Sequence, residues 1–204
     1  FVNMKTKVDL TKYEQLYDTL DKGHDFRHIE EVRTFAEELA KVYCPQKLEV
    51  VYIAATLHDV GLSLGRENHE IVGAKLIEDS KLLTEHYTVE DANEIYEAIR
   101  EHRASSGNPQ SIVAKIVSDA DKVAAGTNRV FQRAYEWGLK NLPQLNQPGQ
   151  LVRAAYHLKE KFGGNGTGNR LYFEESRQKQ NQTYEPIFAA LKVYDFDALA
   201  KFLL

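Results

Sequence analysis

An apolar segment that ends in two ionisable side chains constrains this chain more than any other feature. Residues 48–57 have the sequence LEVVYIAATL, and His58 and Asp59 follow directly. The segment is apolar on nearly every side of a helix, which predicts a helix that is buried all round. Burying a histidine and an aspartate at its end costs free energy unless other groups compensate. We therefore expect partners for His58 and Asp59 inside the fold.

The spacing of apolar residues predicts helices along most of the chain. Apolar residues recur three and four positions apart, with turn or capping residues between the segments. The predicted helices cover residues 8–20, 26–43, 48–57, 69–82, 89–103, 111–125 and 131–140, with a polar helix after 169 and a last apolar stretch over 187–204. Gly23 is expected to break the chain before Asp25 caps a helix, and Pro143 and Pro148 predict a loop. Because no alternating strand pattern exceeds a few residues, the sequence predicts an all-α protein.

Length, charge and cysteine content exclude several classes of protein. The 204 residues suffice for one core with a small appendage. A net charge of −4 gives no general attraction to nucleic acid or to an anionic membrane, so we expect no nucleic-acid surface. The longest apolar run, residues 50–57, is too short to span a membrane, and we expect no secretory signal. The one cysteine, Cys44, cannot form an internal disulfide, which favours a cytoplasmic location.

Three predicted helices each turn a polar, metal-competent side chain inward. His28 lies in the apolar stripe of its helix, and His102 follows Ile99 on the buried side of another. His58 and Asp59 end the most buried helix. A lone histidine in such a stripe is more often a hydrogen-bonded core residue than a ligand. Three of them with a buried aspartate favour one shared site, because a divalent cation would offset the cost of burying them together.

A second carboxylate comes from the segment KIVSDADKVAAG at residues 115–126. Asp119 and Asp121 lie about equally far from the centre of its apolar face, on opposite flanks. Lys115 precedes Asp119 by four residues and could pair with it on a solvated face. This favours Asp121 as the inward residue, although the periodicity alone leaves both open.

Three segments, in this order, resemble the HD-domain superfamily of metal-dependent phosphohydrolases. They are GHDFRHIEEV at 23–32, LHDVG at 57–61 and SDADKVAAG at 118–126. The first is most similar to a branch of small, mostly uncharacterised bacterial HD hydrolases. The resemblance implies an all-α HD-domain helical bundle with additional C-terminal helices. It also implies a single HD-type domain over residues 1–204, with a metal-binding core at about 20–126 and a helical extension at about 127–204.

The resemblance further implies which residues hold a metal. The implied ligands of one ion are His28, His58, Asp59 and Asp121, which decides for Asp121 over Asp119. Some HD proteins bind a second metal, and His69 in NHEIVGA and His102 in REHRAS stand where those proteins supply its ligands. His69 follows a predicted helix cap, so the alternative for it is a surface histidine. His24 and Asp25 are interpreted as supporting or capping residues.

The implied ligand set suits a divalent metal that activates water for phosphoryl transfer. Mixed histidine and carboxylate ligands favour Fe, Mn, Co, Ni or Zn, with Mg also open, as one ion or two. We interpret His58, Asp59 and Lys122 as catalytic, and Lys122 as the first candidate to contact a substrate phosphate. Arg103 and Arg100 are further candidates, with solvation on a helix surface as their alternative. The predicted function is phosphohydrolysis, by a phosphomonoesterase or phosphodiesterase, of a small phosphate ester, with nucleotides as one class.

Two other functions stay open: a non-catalytic HD module that binds a nucleotide or partner, and an HD-type di-iron oxygenase. Two departures narrow the choice of branch. The paired histidines and Gly-Tyr-Pro of cyclic-dinucleotide phosphodiesterases are missing, and Leu62 stands where the nucleotidase branch has glutamate. The segment GGNGTGNR at 163–170 lacks the Lys-Ser or Lys-Thr of a P-loop, so it predicts a mobile loop. The sequence alone gives no prediction of the oligomeric state.

Overall fold

The protein is helical throughout the part of the chain that its computed structural model describes, residues 4–20, 24–124 and 127–203. The helices are α1 (Thr11–Glu14), α2 (Phe26–Tyr43), α3 (Leu48–Leu57), α4 (His69–Asp79), α5 (Val89–Glu101), α6 (Ile112–Ala124), α7 (Thr127–Asn141), α8 (Gln147–Phe162), α9 (Glu174–Lys192) and α10 (Phe196–Ala200). Short 3₁₀ turns cover Gln15–Thr19, Pro45–Lys47, Val60–Leu64 and Thr167–Asn169. Within those described ranges there is no strand, which confirms the predicted all-α class.

The chain divides into two compact units, residues 1–124 and 125–204. The division lies close to residue 127, where the sequence places the start of a C-terminal extension. Helices α1 to α6 belong to the first unit and α7 to α10 to the second. All six residues of the implied metal site lie in the first unit. That the whole chain is one HD-type domain stays a prediction.

Helix α3 is the central element of the first unit. Residues 50–57 are all buried, as the uninterrupted apolar segment predicts. Helices α2, α5 and α6 pack against it, and α2 also packs against α6. Because α3 is enclosed by three helices, the residues that follow its last turn start inside the core. The position of His58 and Asp59 is therefore a consequence of how α3 is buried.

A buried hydrogen-bond network holds the end of α3 in place. The Arg33 guanidinium donates from Nε to Thr56 Oγ1 at 2.7 Å, and it also pairs with Glu14. The Tyr17 hydroxyl donates to the Thr56 carbonyl oxygen at 2.6 Å. Arg33 is 2% exposed, so this charge is stabilised by its partners rather than by water. The network fixes the turn of α3 that immediately precedes His58.

Two glycines bring α4 close to the turn after α3. A Cβ atom on Gly61 would lie 2.0 Å from the His69 carbonyl oxygen and 2.7 Å from the Gly73 nitrogen. Any side chain at Gly61 would push α4 away from the Val60–Leu64 turn. Because His69 is the first residue of α4, this close backbone approach also sets its distance from Asp59.

The second unit has its own hydrophobic core. The buried residues of that core come from α7, α8, α9 and α10, and they are Phe131, Ala134, Leu151, Ala154, Ala155, Leu158, Phe162, Tyr184, Ile187, Ala190, Leu191 and Leu199. Phe162 and Tyr184 stack with their ring centroids 4.2 Å apart. The sequence predicted no helix over α8, and that omission was wrong. Pro148 lies in the first turn of α8, where a missing N–H costs nothing, and the Asn146 side chain caps that turn.

Several predicted boundaries differ from the observed ones. The first predicted helix, 8–20, is a single α-helical turn followed by a 3₁₀ turn. Helix α4 ends at Asp79 and α5 at Glu101, earlier than predicted. The predicted break at Gly23 lies outside the described residues. Gly168, in the predicted mobile loop, is buried against Phe162, and the mobility itself stays a prediction.

In the described part of the chain, no helix taken singly has both the length and the apolar composition needed to cross a membrane. The segments Pro45–Leu64 and His69–Asp79 pass the same test as a pair bent by 109°, on length and composition alone.

Candidate metal centre

Six residues from five helices or their ends meet in the first unit. His28 lies in the first turn of α2, His58 and Asp59 follow α3, His69 begins α4, His102 follows α5, and Asp121 lies in the last turn of α6. The four histidines and Asp59 are buried, whereas the Asp121 side chain is 24% exposed. The residues that the sequence singled out are thus close together. Whether they bind a metal stays a prediction at this point.

The first group consists of His28, His58 and Asp121. The Asp121 Oδ1 atom lies 3.1 Å from His28 Nε2 and 3.6 Å from His58 Nε2. Asp59 adds its Oδ2 atom at 3.5 Å from His58 Nε2. The Nε2 atom of His58 is buried and has no hydrogen-bond partner among the described residues. A buried nitrogen facing two carboxylates in this way is suited to bind a cation.

The second group consists of Asp59, His69 and His102. The Asp59 Oδ1 atom lies 3.3 Å from His69 Nε2 and 3.3 Å from His102 Nε2. The two histidine Nε2 atoms are also 3.3 Å apart. Asp59 therefore offers one carboxylate oxygen to each group. The alternative of a plain surface position for His69 is wrong, since His69 is buried beside Asp59.

Backbone carbonyls hold three of the histidine rings from behind. His58 Nδ1 lies 2.8 Å from the Ala55 oxygen, and His102 Nδ1 lies 2.7 Å from the Ile99 oxygen. His69 Nδ1 is 3.2 Å from the carbonyl oxygen of the residue three positions earlier. A carbonyl can only accept, so each Nδ1 carries a proton and each Nε2 faces the centre, where it can hold a second proton or bind a metal ion. Histidine ligands of metals are commonly oriented in this manner.

The charges of the centre are strongly coupled. Burial opposes ionisation of Asp59, yet the charge of His58 and hydrogen bonds from His102 and His24 hold its pKa well below the usual range. Burial likewise opposes ionisation of Asp121, but a hydrogen bond from His28 and the charges of His58 and His28 lower its pKa. Burial favours neutral His58, and the carboxylates of Asp59 and Asp121 outweigh it and raise the His58 pKa. Ionised carboxylates thus face histidine nitrogens that a proton or a metal ion can occupy.

Comparison with protein-family models identifies the family to which the chain belongs. The model of the HD domain family matches residues 25–126, which is half of the chain and includes all six residues of the centre. The chain belongs to the HD-domain family. The predicted HD-domain superfamily membership is therefore confirmed. Membership, together with three overlapping His/Asp groups that could hold an ion, indicates a metal-dependent hydrolase.

A solved structure has a fold similar to most of this chain. It is the crystal structure of a predicted HD superfamily hydrolase from an uncultured Thermotogales bacterium. That protein is 22% identical in sequence and aligns with a TM-score of 0.57, over 93% of this chain and 91% of its own. At this identity the likeness concerns the fold. Among curated proteins, none is significantly similar to this HD protein.

Two polar residues, His24 and Asp25, come shortly before His28 in the HD motif, and their supporting roles stay predictions. His24 Nδ1 lies 3.0 Å from Asp59 Oδ2, and His24, His28 and Asp59 form a further group that could hold an ion. Asp25 is the N-cap of α2, and its Oδ1 accepts a hydrogen bond from the His28 N–H at 3.2 Å. The helix that carries His28 therefore begins with a cap directly beside it.

The two aspartates of α6 occupy different environments. Asp121 contacts His28 and His58, as described, whereas Asp119 is fully buried away from these contacts. The expectation that Asp119 lies on a solvated face was wrong. Helix α6 packs against α2, α3 and α5, so more of its circumference is enclosed than its apolar residues indicate.

The three predicted substrate-binding cations differ in exposure. Lys122 is buried, and its Nζ donates to Ser118 Oγ at 2.8 Å. Arg103 is partly exposed beside His102, and its Nη1 lies 3.3 Å from Glu70 Oε1. Arg100 is about as exposed and lies near Glu101. Their roles in binding substrate or in catalysis stay predictions.

Sequence reasoning missed Glu70. It follows His69 in the first turn of α4, and it is 5% exposed. An acidic residue in a first helical turn is ordinarily explained by the helix dipole, so its type gave no separate signal. Its position directly after a candidate ligand was the available indication.

Proposed function

We propose that this HD protein is a metal-dependent phosphohydrolase that cleaves a small phosphate ester, with nucleotides as the first substrate class to test. The proposal rests on one observation above all. Four buried histidines direct Nε2 atoms toward two ionised carboxylates, and His58 Nε2 has no other partner among the described residues.

The nitrogen and oxygen ligands of the centre fit Zn²⁺ or a first-row transition metal such as Mn²⁺ better than Ca²⁺. Imidazole nitrogens suit Zn, Fe, Co and Ni, while carboxylate oxygens also accept Mn and Mg. His28, His58, Asp59 and Asp121 would hold one ion. Asp59, His69 and His102 would hold a second, with Asp59 shared through its two oxygens. Such an ion, when bound, would polarise a phosphoryl oxygen and lower the pKa of a nearby water.

Phosphoryl transfer further requires that the substrate is positioned and that the negative charge on its phosphoryl group is neutralised. Side chains around the centre can meet both requirements. Asp121 is the most exposed member of the centre, so it marks the side from which a substrate can approach. Arg103 is 43% exposed at its side chain and follows His102 directly, which suits a contact with a phosphate oxygen. Lys122 follows Asp121 in the chain, and its Nζ donates to Ser118, whose Oγ in turn lies 3.4 Å from the His102 carbonyl oxygen.

The test combines metal reconstitution with activity. Protein loaded with Mn²⁺, Zn²⁺, Fe²⁺, Co²⁺ or Ni²⁺ is assayed with p-nitrophenyl phosphate, bis-p-nitrophenyl phosphate and a panel of nucleotides. We expect metal-dependent release of product from at least one of them. Chelation should abolish the activity, and metal should restore it. A fully metal-loaded protein that hydrolyses none of them would favour a non-catalytic binding module.

Asp121→Asn and Asp119→Asn form a matched pair within one helix. Both remove one carboxylate charge from α6. We expect Asp121→Asn to lower activity and metal uptake at least 10-fold, because it removes a contact of His28 and His58. Asp119→Asn should keep the metal, and any loss of folding stability is measured separately by thermal unfolding. Retained metal in Asp121→Asn with loss in Asp119→Asn would reverse the assignment.

The shared position of Asp59 favours one second candidate, an HD-type di-iron oxygenase. Six ligands divided between two groups can hold two iron ions as readily as other metals. Iron-loaded protein that consumes dioxygen and shows the electron paramagnetic resonance signal of a mixed-valence pair would support this candidate. Equal phosphatase activity with redox-inert Zn²⁺ would favour the hydrolase.

A further inference from the structure

The two groups of the centre differ in negative charge. The first group has Asp121, and Asp59 Oδ2 lies 3.5 Å from His58 Nε2. The second group has two histidines and only the Oδ1 atom of the shared Asp59. A divalent ion in the second group would therefore meet less compensating charge than one in the first. Without a further anion, the second position would be the weaker of the two.

Glu70 places a carboxylate directly behind the second group. Its Oε2 atom lies 3.4 Å from His69 Nδ1, on the ring edge that faces away from Asp59. That Oε2 atom is buried and makes no hydrogen bond within the described ranges. The Glu70 side chain is 7% exposed, so water does little to screen its charge. His69 Nδ1 also lies 3.2 Å from the Arg66 carbonyl oxygen, a contact of the same kind as those of His58 and His102. Glu70 thus adds a carboxylate that the described residues do not place beside the other two Nδ1 atoms.

Arg103 anchors the Glu70 carboxylate from the other side. Arg103 Nη1 lies 3.3 Å from Glu70 Oε1, which leaves Oε2 directed to His69. The pair also connects α4 to the end of α5, directly next to His69 and His102. Arg103 thus holds the Glu70 carboxylate against a candidate ligand.

We propose that Glu70 is a positioning residue that sets the affinity of the second group for its metal ion. It does so by orienting the His69 ring and by making that imidazole a stronger donor. A carboxylate behind a ligating histidine acts in this way in other metal sites. The inference rests on the proposed metal-dependent function, because it assumes that the second group binds an ion.

The test is a Mn²⁺ titration of chelator-treated protein, with free Mn²⁺ measured by electron paramagnetic resonance. It compares the wild type with Glu70→Gln, which keeps the size of the side chain and removes its charge. We expect the wild type to bind two ions. Glu70→Gln should bind the first ion as the wild type does and the second about 10- to 100-fold more weakly. The exposed Glu67→Gln variant, three residues earlier, is the charge-matched control and should behave as wild type.

Arg103→Gln provides an independent variant in case Glu70→Gln does not fold, which circular dichroism of the metal-free protein will show. This substitution removes the contact of Arg103 with Glu70 and leaves His69 unchanged, so it too should lower only the affinity for the second ion. Equal second-ion affinity in all variants would overturn the proposal, as would an equal loss at both positions. A wild type that binds one ion also overturns it, while leaving the hydrolase proposal on the first group. A wild type that binds none removes both proposals.

Discussion

The orientation of three histidine rings in this centre is fixed by the backbone group that contacts Nδ1. His58, His69 and His102 each turn Nδ1 to a backbone carbonyl and Nε2 to a carboxylate of Asp59 or Asp121. Each carbonyl belongs to the residue three positions earlier, which lies at the end of α3 for His58, at the end of α5 for His102 and in the turn before α4 for His69. The local backbone therefore fixes the direction of each ring and the nitrogen that donates to the carbonyl.

The first prediction concerns the pH dependence of metal-free protein. The folded-state pKa values of His58 and His69 are raised, His58 by Asp59 and Asp121, and His69 by Asp59. The native state then binds more protons than the unfolded chain above about pH 6.5, the ordinary histidine pKa. The free energy of unfolding should fall as pH rises from about 6.5 through the raised pKa values. Urea unfolding of chelator-treated protein from pH 5 to 9 measures this.

Metal should reverse that trend. Metal and proton compete for the same Nε2 atoms, so metal uptake should release protons and strengthen as pH rises. Asp59 and Asp121 contribute in the opposite range. Their lowered pKa values give stability above about pH 4 that is lost as pH falls through the folded-state values. Metal-free stability that increases steadily above pH 6.5 would contradict the described charge coupling.

The inward direction of His28 and His102 was predictable from sequence, because each shares a helical stripe with apolar residues. The burial of Asp119 was not. Periodicity marks the one side of α6 that is most apolar, whereas three helices enclose it. The choice of Asp121 needed the family resemblance, and the structure places Asp121 beside His28 and His58. Glu70 could not be recognised because its role depends on a contact across two helices.

At the scale of helices, caps and close backbone contacts place the ligands. The Asp25 cap of α2 and the Thr88 cap of α5 are similar, each accepting one backbone hydrogen bond. We expect Asp25→Ala and Thr88→Ala each to cost about 1 kcal/mol of unfolding free energy. Only Asp25→Ala should also weaken metal binding, because the capped N–H belongs to His28. Thermal unfolding and metal titration of the two variants measure these effects, and equal metal affinities would show that this cap does not act on the centre.

The contact of α4 with the turn after α3 gives a third prediction. Gly61→Ala would bring a Cβ atom to 2.0 Å from the His69 carbonyl oxygen, so the backbone must move. We expect a loss of about 3 kcal/mol or more in unfolding free energy, together with loss of any second metal ion. Gly73→Ala, whose Cβ would lie 3.0 Å from the Gly61 nitrogen, should cost less. Unchanged stability and metal content in Gly61→Ala would mean that α4 can shift without affecting the centre.

The sequence predicts that a helix is present more reliably than it predicts the residues at which the helix begins and ends. The uniformly apolar α3 matches its predicted bounds, since no other element buries such a segment so simply. Helix α8 was missed because Pro143 and Pro148 were interpreted together as a loop. Pro148 instead occupies the first turn of α8, where proline is well tolerated. The first predicted helix is observed as one α-helical turn, Thr11–Glu14, because the residues that follow form a 3₁₀ turn, Gln15–Thr19.

At the scale of the whole molecule, the chemistry lies in the first unit and the sequence says least about the second. Residues 25–126 match the HD family, and this range includes every candidate ligand. Residues 127–203 form a separate hydrophobic core without a motif that indicates a substrate. The family and four of the six residues of the centre, His28, His58, Asp59 and Asp121, could therefore be predicted from the order of three short segments. The substrate could not, because no comparable pattern marks the groups that would recognise it.

Measuring metal content tests whether a metal ion holds His58 and Asp59. Elemental mass spectrometry is applied to protein purified without chelator or added metal, alongside His58→Ala and Asp59→Ala. His86→Ala, which changes an exposed histidine, is the control. We predict near-stoichiometric metal in the wild type and control, and none in the two centre variants. Wild-type protein that carries no metal and takes up none from Mn²⁺, Fe²⁺, Ni²⁺ or Zn²⁺ would contradict the claim.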